Sequence, residues 1–167
     1  MSTIKVDRIE PQDGLQTNAM GGIVQVVRVV YTGQATTTST SYVSTGLQAS
    51  ITPRSASNKI MVSFEHSMYR VPSNLTAFHG IRIKRGTNVI YTPVTNSVGP
   101  YDFGVYSANT VHGRSRVEYL DSPSTTSSIT YSTEMALYGD GTLYSNYQDS
   151  STAVTPQSFM TLMEITA

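Results

Sequence analysis

Ile129-Thr130-Tyr131-Ser132-Thr133-Glu134-Met135-Ala136-Leu137 is the stretch on which the fold turns. Ile129, Tyr131, Thr133, Met135 and Leu137 share one phase of a two-residue period, and Thr130, Ser132, Glu134 and Ala136 share the other. A strand with one buried face has this pattern. Gly139-Asp140-Gly141 then reverses the chain into Thr142–Tyr147, so the stretch predicts a long strand followed by a turn.

The same period recurs outward from this strand. In Lys59–Glu65, Ile60, Val62 and Phe64 face one way, and Lys59, Ser63 and Glu65 face the other with Met61. Ile81 and Ile83 point in while Arg82 and Lys84 point out, and Gly86-Thr87-Asn88 leads into Val89-Ile90-Tyr91 as a hairpin. Arg114–Leu120 sets Val117 and Tyr119 against Arg116 and Glu118, and Asp121-Ser122-Pro123 ends it. Tyr42–Ile51, closed by Pro53, and Phe159–Ile165 supply two more strands. Ile23–Tyr31 carries valines in both phases, which predicts a strand covered on both sides. Residues 92–113, with Pro93, Gly99-Pro100, Gly104 and Gly113, read as one long connection, and connections of that length are usually functional or interfacial. No sustained 3.6-residue apolar repeat and no internal repeat is visible. The expected fold is all-β: an antiparallel jelly-roll or Greek-key β-sandwich of about eight strands.

Residues 1–22 form a separate unit ahead of the body at 23–167. One short alternating stretch, Ile4-Lys5-Val6-Asp7-Arg8-Ile9, precedes Pro11, Asp13-Gly14 and the Gly21-Gly22 pair. Three apolar side chains cannot build a core alone, so this segment reads as an extended N-terminal arm that adds a strand to a partner or lies along another surface, with the Gly pair as its hinge.

Composition bounds the function. The chain has 167 residues, with 11 basic and 11 acidic side chains that cancel and a charged fraction of only 13%. No field of one sign would attract nucleic acid or an anionic membrane. Ser and Thr make up about a quarter of the residues, and 11 tyrosines with no Trp supply most of the aromatic content, a mixture that favours strands and polar loops. With no Cys, disulfides and thiolate metal sites are excluded. The first residues hold no apolar segment of signal-peptide length, and Ile23–Tyr31, broken by Gln25 and Arg28, is too short to cross a bilayer. A soluble protein is expected.

Catalytic chemistry finds no support. His66, His79 and His112 lack zincin spacing, and only Glu65-His66 and Phe78-His79 would converge if their strands paired. Hydroxyls abound, but there is no Gly-x-Ser-x-Gly elbow. Glu65, Glu118 and Glu134 fall at the outward phase of their strands, which suits surface ion pairs better than a glycosidase pair. Asp140-Gly141 lacks the rest of a calcium loop, no Gly-rich phosphate cradle occurs, and Asn74-Leu75-Thr76 is a glycosylation sequon only in a secreted chain. The reading is a non-enzyme without cofactor or metal. Tyr101, Tyr106, Tyr138, Tyr144 and Tyr147 lie in or beside loops and are candidate recognition residues, since tyrosine offers contact area at low entropic cost.

Three stretches carry a resemblance. Met1-Ser2-Thr3-Ile4-Lys5-Val6-Asp7-Arg8-Ile9 resembles the opening of structural proteins of tailed bacteriophages, particularly those of cyanobacteria and other aquatic bacteria. Ile23–Phe64, with Val26-Val27, Thr36–Thr40, Tyr42-Val43, Gly46-Leu47, Ile51-Thr52-Pro53, Ser57-Asn58-Lys59-Ile60 and Val62, is similar to a recurrent phage β-domain. Leu162-Met163-Glu164-Ile165 is similar to that domain's last strand. The likeness covers both ends and the first third of the body and leaves 66–158 outside. It implies a virion protein on the outer capsid surface or the tail: a capsid decoration (cement) protein, a head fibre, or a tail-fibre or adaptor part that reads host glycan. It also implies a jelly-roll homotrimer that binds the major capsid protein or another virion protein. Absence of a fibre shaft ranks the cement role first.

Overall fold

The computed structural model describes residues 22–71, 78–92, 105–107, 110–147 and 155–167. These residues contain strands and no helix: β1 (Ile23–Tyr31), β2 (Ala35–Thr37), β3 (Val43–Ile51), β4 (Lys59–Val71), β5 (Phe78–Arg85), β6 (Asn88–Tyr91), β7 (Val105–Ser107), β8 (Thr110–Asp121), β9 (Ile129–Tyr138), β10 (Thr142–Ser145) and β11 (Ser158–Ile165). Two antiparallel sheets pack face to face as a β-sandwich. The four-stranded sheet runs β3-β9-β5-β6. In the seven-stranded sheet, β4 pairs along one edge with β8, which continues to β7. Along its other edge β4 pairs first with β11, which continues to β1, and then with β10, which continues to β2.

The period-two sequences bury the phase expected of them. Tyr131, Thr133, Met135 and Leu137 of β9, Ile60, Val62 and Phe64 of β4, and Ile81 and Ile83 of β5 are buried between the sheets, where Met160 and Leu162 of β11, a strand with no expected phase, join them. The turn at Gly86 takes φ +57° and joins β5 to β6 as a hairpin. Ala136 is buried although it sits in the outward phase of β9. Its cross-strand neighbour is Gly80, and a Cβ at Gly80 would stand 2.6 Å from the Tyr42 hydroxyl oxygen. The Tyr42 ring thus lies over this part of the sheet, and only glycine leaves it room.

β3 carries a bulge between Ser44 and Gln48. Gly46, at φ +84°, forms it, and any Cβ there would also strike the Tyr31 hydroxyl at 2.2 Å. Thr45, Leu47, Ala49 and Ile51 nevertheless keep the two-residue period and face the core.

Two sequence expectations change. Among the described residues β1 is not covered on both sides: it pairs with β11 alone, Val27, Val29 and Tyr31 lean on the core, and Val26 and Val30 are 55% and 51% exposed. The expected 92–113 connection is interrupted by β7 and by the first residues of β8, which starts four positions before Arg114. Gly113 was read as loop punctuation, yet it sits in the ladder opposite Met68, where the long β4 supplies the hydrogen-bonding partner that a local reading lacks.

The two strand lines β1–β2 and β11–β10 break at one level, and Asn146 closes the break. At φ +53°, a region asparagine tolerates better than most residues, its amide Nδ2 donates to the carbonyls of Tyr31 (3.0 Å) and Gly33 (3.1 Å). Its Oδ1 accepts from Ser158 Oγ (2.7 Å), which in turn accepts from the Ser67 amide (3.1 Å). Tyr147 is thereby fixed just outside the sheet.

Candidate functional site

Buried polar groups are the first place to look for chemistry. His66 is buried between the sheets, with Nε2 2.8 Å from Thr133 Oγ1 and Nδ1 3.1 Å from Ser145 Oγ. Thr133 Oγ1 is also 2.7 Å from Thr45 Oγ1. Burial, and next the nearby His79, lower the His66 pKa from 6.5 to about 3, so the ring is neutral, one nitrogen donating and the other accepting. His79 bonds Ser115 through Nε2 at 2.9 Å. The two histidines approach across the sandwich, but hydroxyls satisfy them and no acid joins them. Among the described residues no group of three His, Asp or Glu side chains is arranged to hold a metal ion.

Two carboxylates are buried as fasteners. Asp121 accepts both Oδ contacts from Arg85 Nη1 (3.1 and 2.9 Å) and a bond from the Tyr131 hydroxyl (2.7 Å), tying β8 to β5 and β9. Burial, followed by that bond to a carboxylate, pushes the Tyr131 phenol far above its usual pKa and keeps it a donor. Glu164 accepts from Gln25 Nε2 (2.6 Å), the Arg54 amide (2.7 Å) and Asn58 Nδ2 (2.7 Å). Burial alone would raise its pKa, but these donors and the Ser55 amide hold it below the ordinary glutamate value. Among the described residues no buried side-chain polar atom lacks a partner. Of the three acids weighed above, Glu134 meets Arg82 and Lys84, Glu65 meets Arg114, and Glu118 meets Arg116; all three are surface ion pairs.

No family model and no curated protein matches this chain.

The outer face of the seven-stranded sheet carries what the core does not explain. At one end the register aligns Val26, Met163, Met61 and Leu120 in a single row across β1, β11, β4 and β8. Val26 is 55% and Leu120 44% exposed, and Ile23 and Val30 lie on the same edge strand at 61% and 51%. Above this row come Arg28 over the Phe159 ring (4.6 Å) and the pairs Glu65–Arg114 and Arg116–Glu118.

At the other end, eight residues and about 26 Å further along β4, is an aromatic cluster. The rings of Tyr69 and Tyr147 stack at 4.2 Å and 18°, His112 lies 4.4 Å from Tyr69 on its other strand neighbour, and Tyr144 lies 5.7 Å from Tyr69 and 4.9 Å from Tyr147. An open groove of about 450 Å³ runs beside them, bordered by Ser67, His112, Arg114, Tyr147 and Pro156.

Of the residues expected to recognise a ligand, the fold brings Tyr144 and Tyr147 together and sends Tyr138 to the other sheet, where it is hydrogen-bonded to Tyr42. Tyr106 lies in β7, its backbone opposite Val111. Tyr101 and the arm residues Ile4, Lys5, Val6, Asp7, Arg8 and Ile9 fall outside the described residues. Tyr69 and His112 were not foreseen: they meet because β4 pairs with β8, a register that no local pattern encodes.

Proposed function

We propose that this protein is a non-enzymatic virion structural protein, a capsid decoration (cement) protein that binds the outer shell and self-associates, as a homotrimer. The observation that carries the reading is the row Val26–Met163–Met61–Leu120, a band of apolar side chains across four strands of the outer sheet face, next to the ion pairs Glu65–Arg114 and Arg116–Glu118. Such bands mark association surfaces. The alternation of strands between the sheets supports it as well. Taking β1, β3, β4, β5, β6, β8, β9 and β11 as strands one to eight, the sheets read 1-8-3-6 and 2-7-4-5, the winding of a jelly roll, an architecture shared by capsid and lectin domains. No metal, cofactor, nucleic acid or membrane enters this function.

Self-association rests on modest terms. Burying the exposed half of Val26 or Leu120 contributes roughly 1 kcal/mol each, and several such contacts per subunit are needed against the cost of association. Sedimentation at micromolar concentration is expected to give a trimer for the parent and a folded monomer for Val26→Asp with Leu120→Asp. A monomeric parent, or a trimeric double variant, contradicts the assignment of this row.

Attachment to the shell is assigned to residues 1–22, with Ile4, Val6 and Ile9 as anchors and the backbone of Lys5, Asp7 and Arg8 adding a strand to an edge of the partner. Gly22 accepts from the Thr166 amide at 3.0 Å, which roots this segment at the same end of the sheet as the apolar row. Each anchor contributes about 1.5–3 kcal/mol at most, and three copies act with avidity. Deleting residues 1–20 is expected to leave a folded trimer that no longer binds capsids stripped of the native protein; undiminished binding by the truncated trimer would place attachment on the body instead.

One observation favours a second reading, a tail-fibre or adaptor tip that recognises host-surface glycan. It is the aromatic groove at the far end of the same face.

A further inference from the structure

We infer that the groove beside Tyr69, His112 and Tyr147 is a saccharide site that takes an acidic pyranose, its C–H face against the rings and its carboxylate at Arg114. This deepens the second reading, and it holds equally for a capsid-borne protein.

Four aromatic rings on a solvent-facing sheet surface contribute nothing to the core between the sheets. Their mutual contacts, 4.2 to 5.7 Å between centroids, hold them in place before any ligand arrives, so little side-chain entropy remains to be lost on binding. Flat aromatic surface interrupted by hydroxyl and imidazole groups suits a sugar ring, which has one apolar face and a polar rim. A volume of about 450 Å³ lies within the range of small-ligand sites.

Other ligand classes fit less well. The groove lies on the face of the sheet and not along an edge, so an extended peptide would find no row of backbone donors to pair with. A nucleic acid strand would need a basic track, and besides Arg28, which lies over the Phe159 ring, the charges described on this face are paired ions of both signs.

Charge selects among sugars. Arg114 is the one residue bordering the groove that carries a fixed charge, and no Asp or Glu borders it among the described residues. Glu65 accepts from Nη1 and orients the guanidinium, whose five N–H donors in a planar fork match a carboxylate. A uronic-acid residue supplies both the stacking face and the carboxylate.

The test uses the full chain and two probe sets: uronic-acid oligosaccharides from alginate, pectate and hyaluronan, and the neutral maltotetraose and cellotetraose. With no Trp in the sequence, tyrosine emission reports binding directly. Uronic-acid probes are expected to bind in preference to the neutral ones. Tyr147→Ala should weaken them about tenfold or more, which is the loss of roughly 1.4 kcal/mol, while Tyr147→Phe retains binding. Arg114→Gln should erase the preference for acid over neutral probes, and Tyr138→Phe on the other sheet should change nothing. Thermal melts confirm that each variant is folded. Failure of every uronic-acid probe to bind above the neutral ones, or equal binding by parent, Tyr69→Ala and Tyr147→Ala, overturns the site. Neither result bears on where the protein sits in a particle, so the two readings fail separately.

Discussion

Replacing Asp121 with Ala will destabilise the fold by about 3 kcal/mol or more, the largest loss expected from a single side chain outside the apolar core. The carboxylate is 8% exposed and holds Arg85 and the Tyr131 hydroxyl together. Its removal leaves a cation and a fully buried phenol without their acceptor. Arg85 is 27% exposed and regains part of its hydration, which places the loss at the lower end for buried pairs. Asp121→Asn keeps one carbonyl oxygen for the phenol and should cost less, about 1–2 kcal/mol. Chemical denaturation at neutral pH measures both. A loss below about 1 kcal/mol for the alanine variant would mean that the two sheets are not fastened at this point.

Acid will weaken the protein well before its carboxylates protonate. His66 has its pKa lowered from 6.5 to about 3, so above pH 6.5 the ring is neutral in both folded and unfolded chains and costs nothing. Below pH 6.5 the unfolded chain takes up a proton that the folded chain refuses, and stability falls until the pH reaches about 3. At about 1.4 kcal/mol per unit, moving from pH 7 to pH 4 costs about 3 kcal/mol. Glu164 and Glu134, held below the usual glutamate pKa, act in the same sense only under pH 4.5, where the unfolded carboxyls begin to protonate first. Denaturation midpoints followed from pH 7 to 4.5 therefore isolate the histidine. His66→Gln, which retains a donor and an acceptor for Ser145 and Thr133, should flatten the profile over that interval. A parent profile already flat there would show that the buried ring protonates in place.

These two fasteners also show where sequence reading stops. Period-two alternation named the buried phases of β4, β5 and β9 because side-chain direction in a strand is a local property. Asp121, by contrast, read as the residue that ends a strand, and its role as a clamp depends on Arg85 and Tyr131 arriving from two other strands. His66 read only as a histidine that would meet His79 if their strands paired, and its hydroxyl partners Thr133 and Ser145 come from two other strands.

The candidate surfaces divide similarly. Met61 and the valines of β1 were visible as apolar residues in the outward phase, but the expected cover on both faces of β1 is not present among the described residues. The row they form with Met163 and Leu120 required the registers of three strand pairs. Tyr144 and Tyr147 were legible through their residue type and the nearby turn. Tyr69 and His112, 43 positions apart, become neighbours only through the long β4–β8 ladder.

The central proposal is that this chain is a capsid decoration protein. Cryo-electron microscopy of particles that carry it tests that claim most directly. The account predicts three-fold clusters of a small β-sandwich on the capsid facets, with the rows Val26–Met163–Met61–Leu120 against neighbouring copies and the aromatic grooves at the far end of the face left open. Density for the sandwich at the tail tip alone, or its absence from particles purified from cells that express it, would contradict the account.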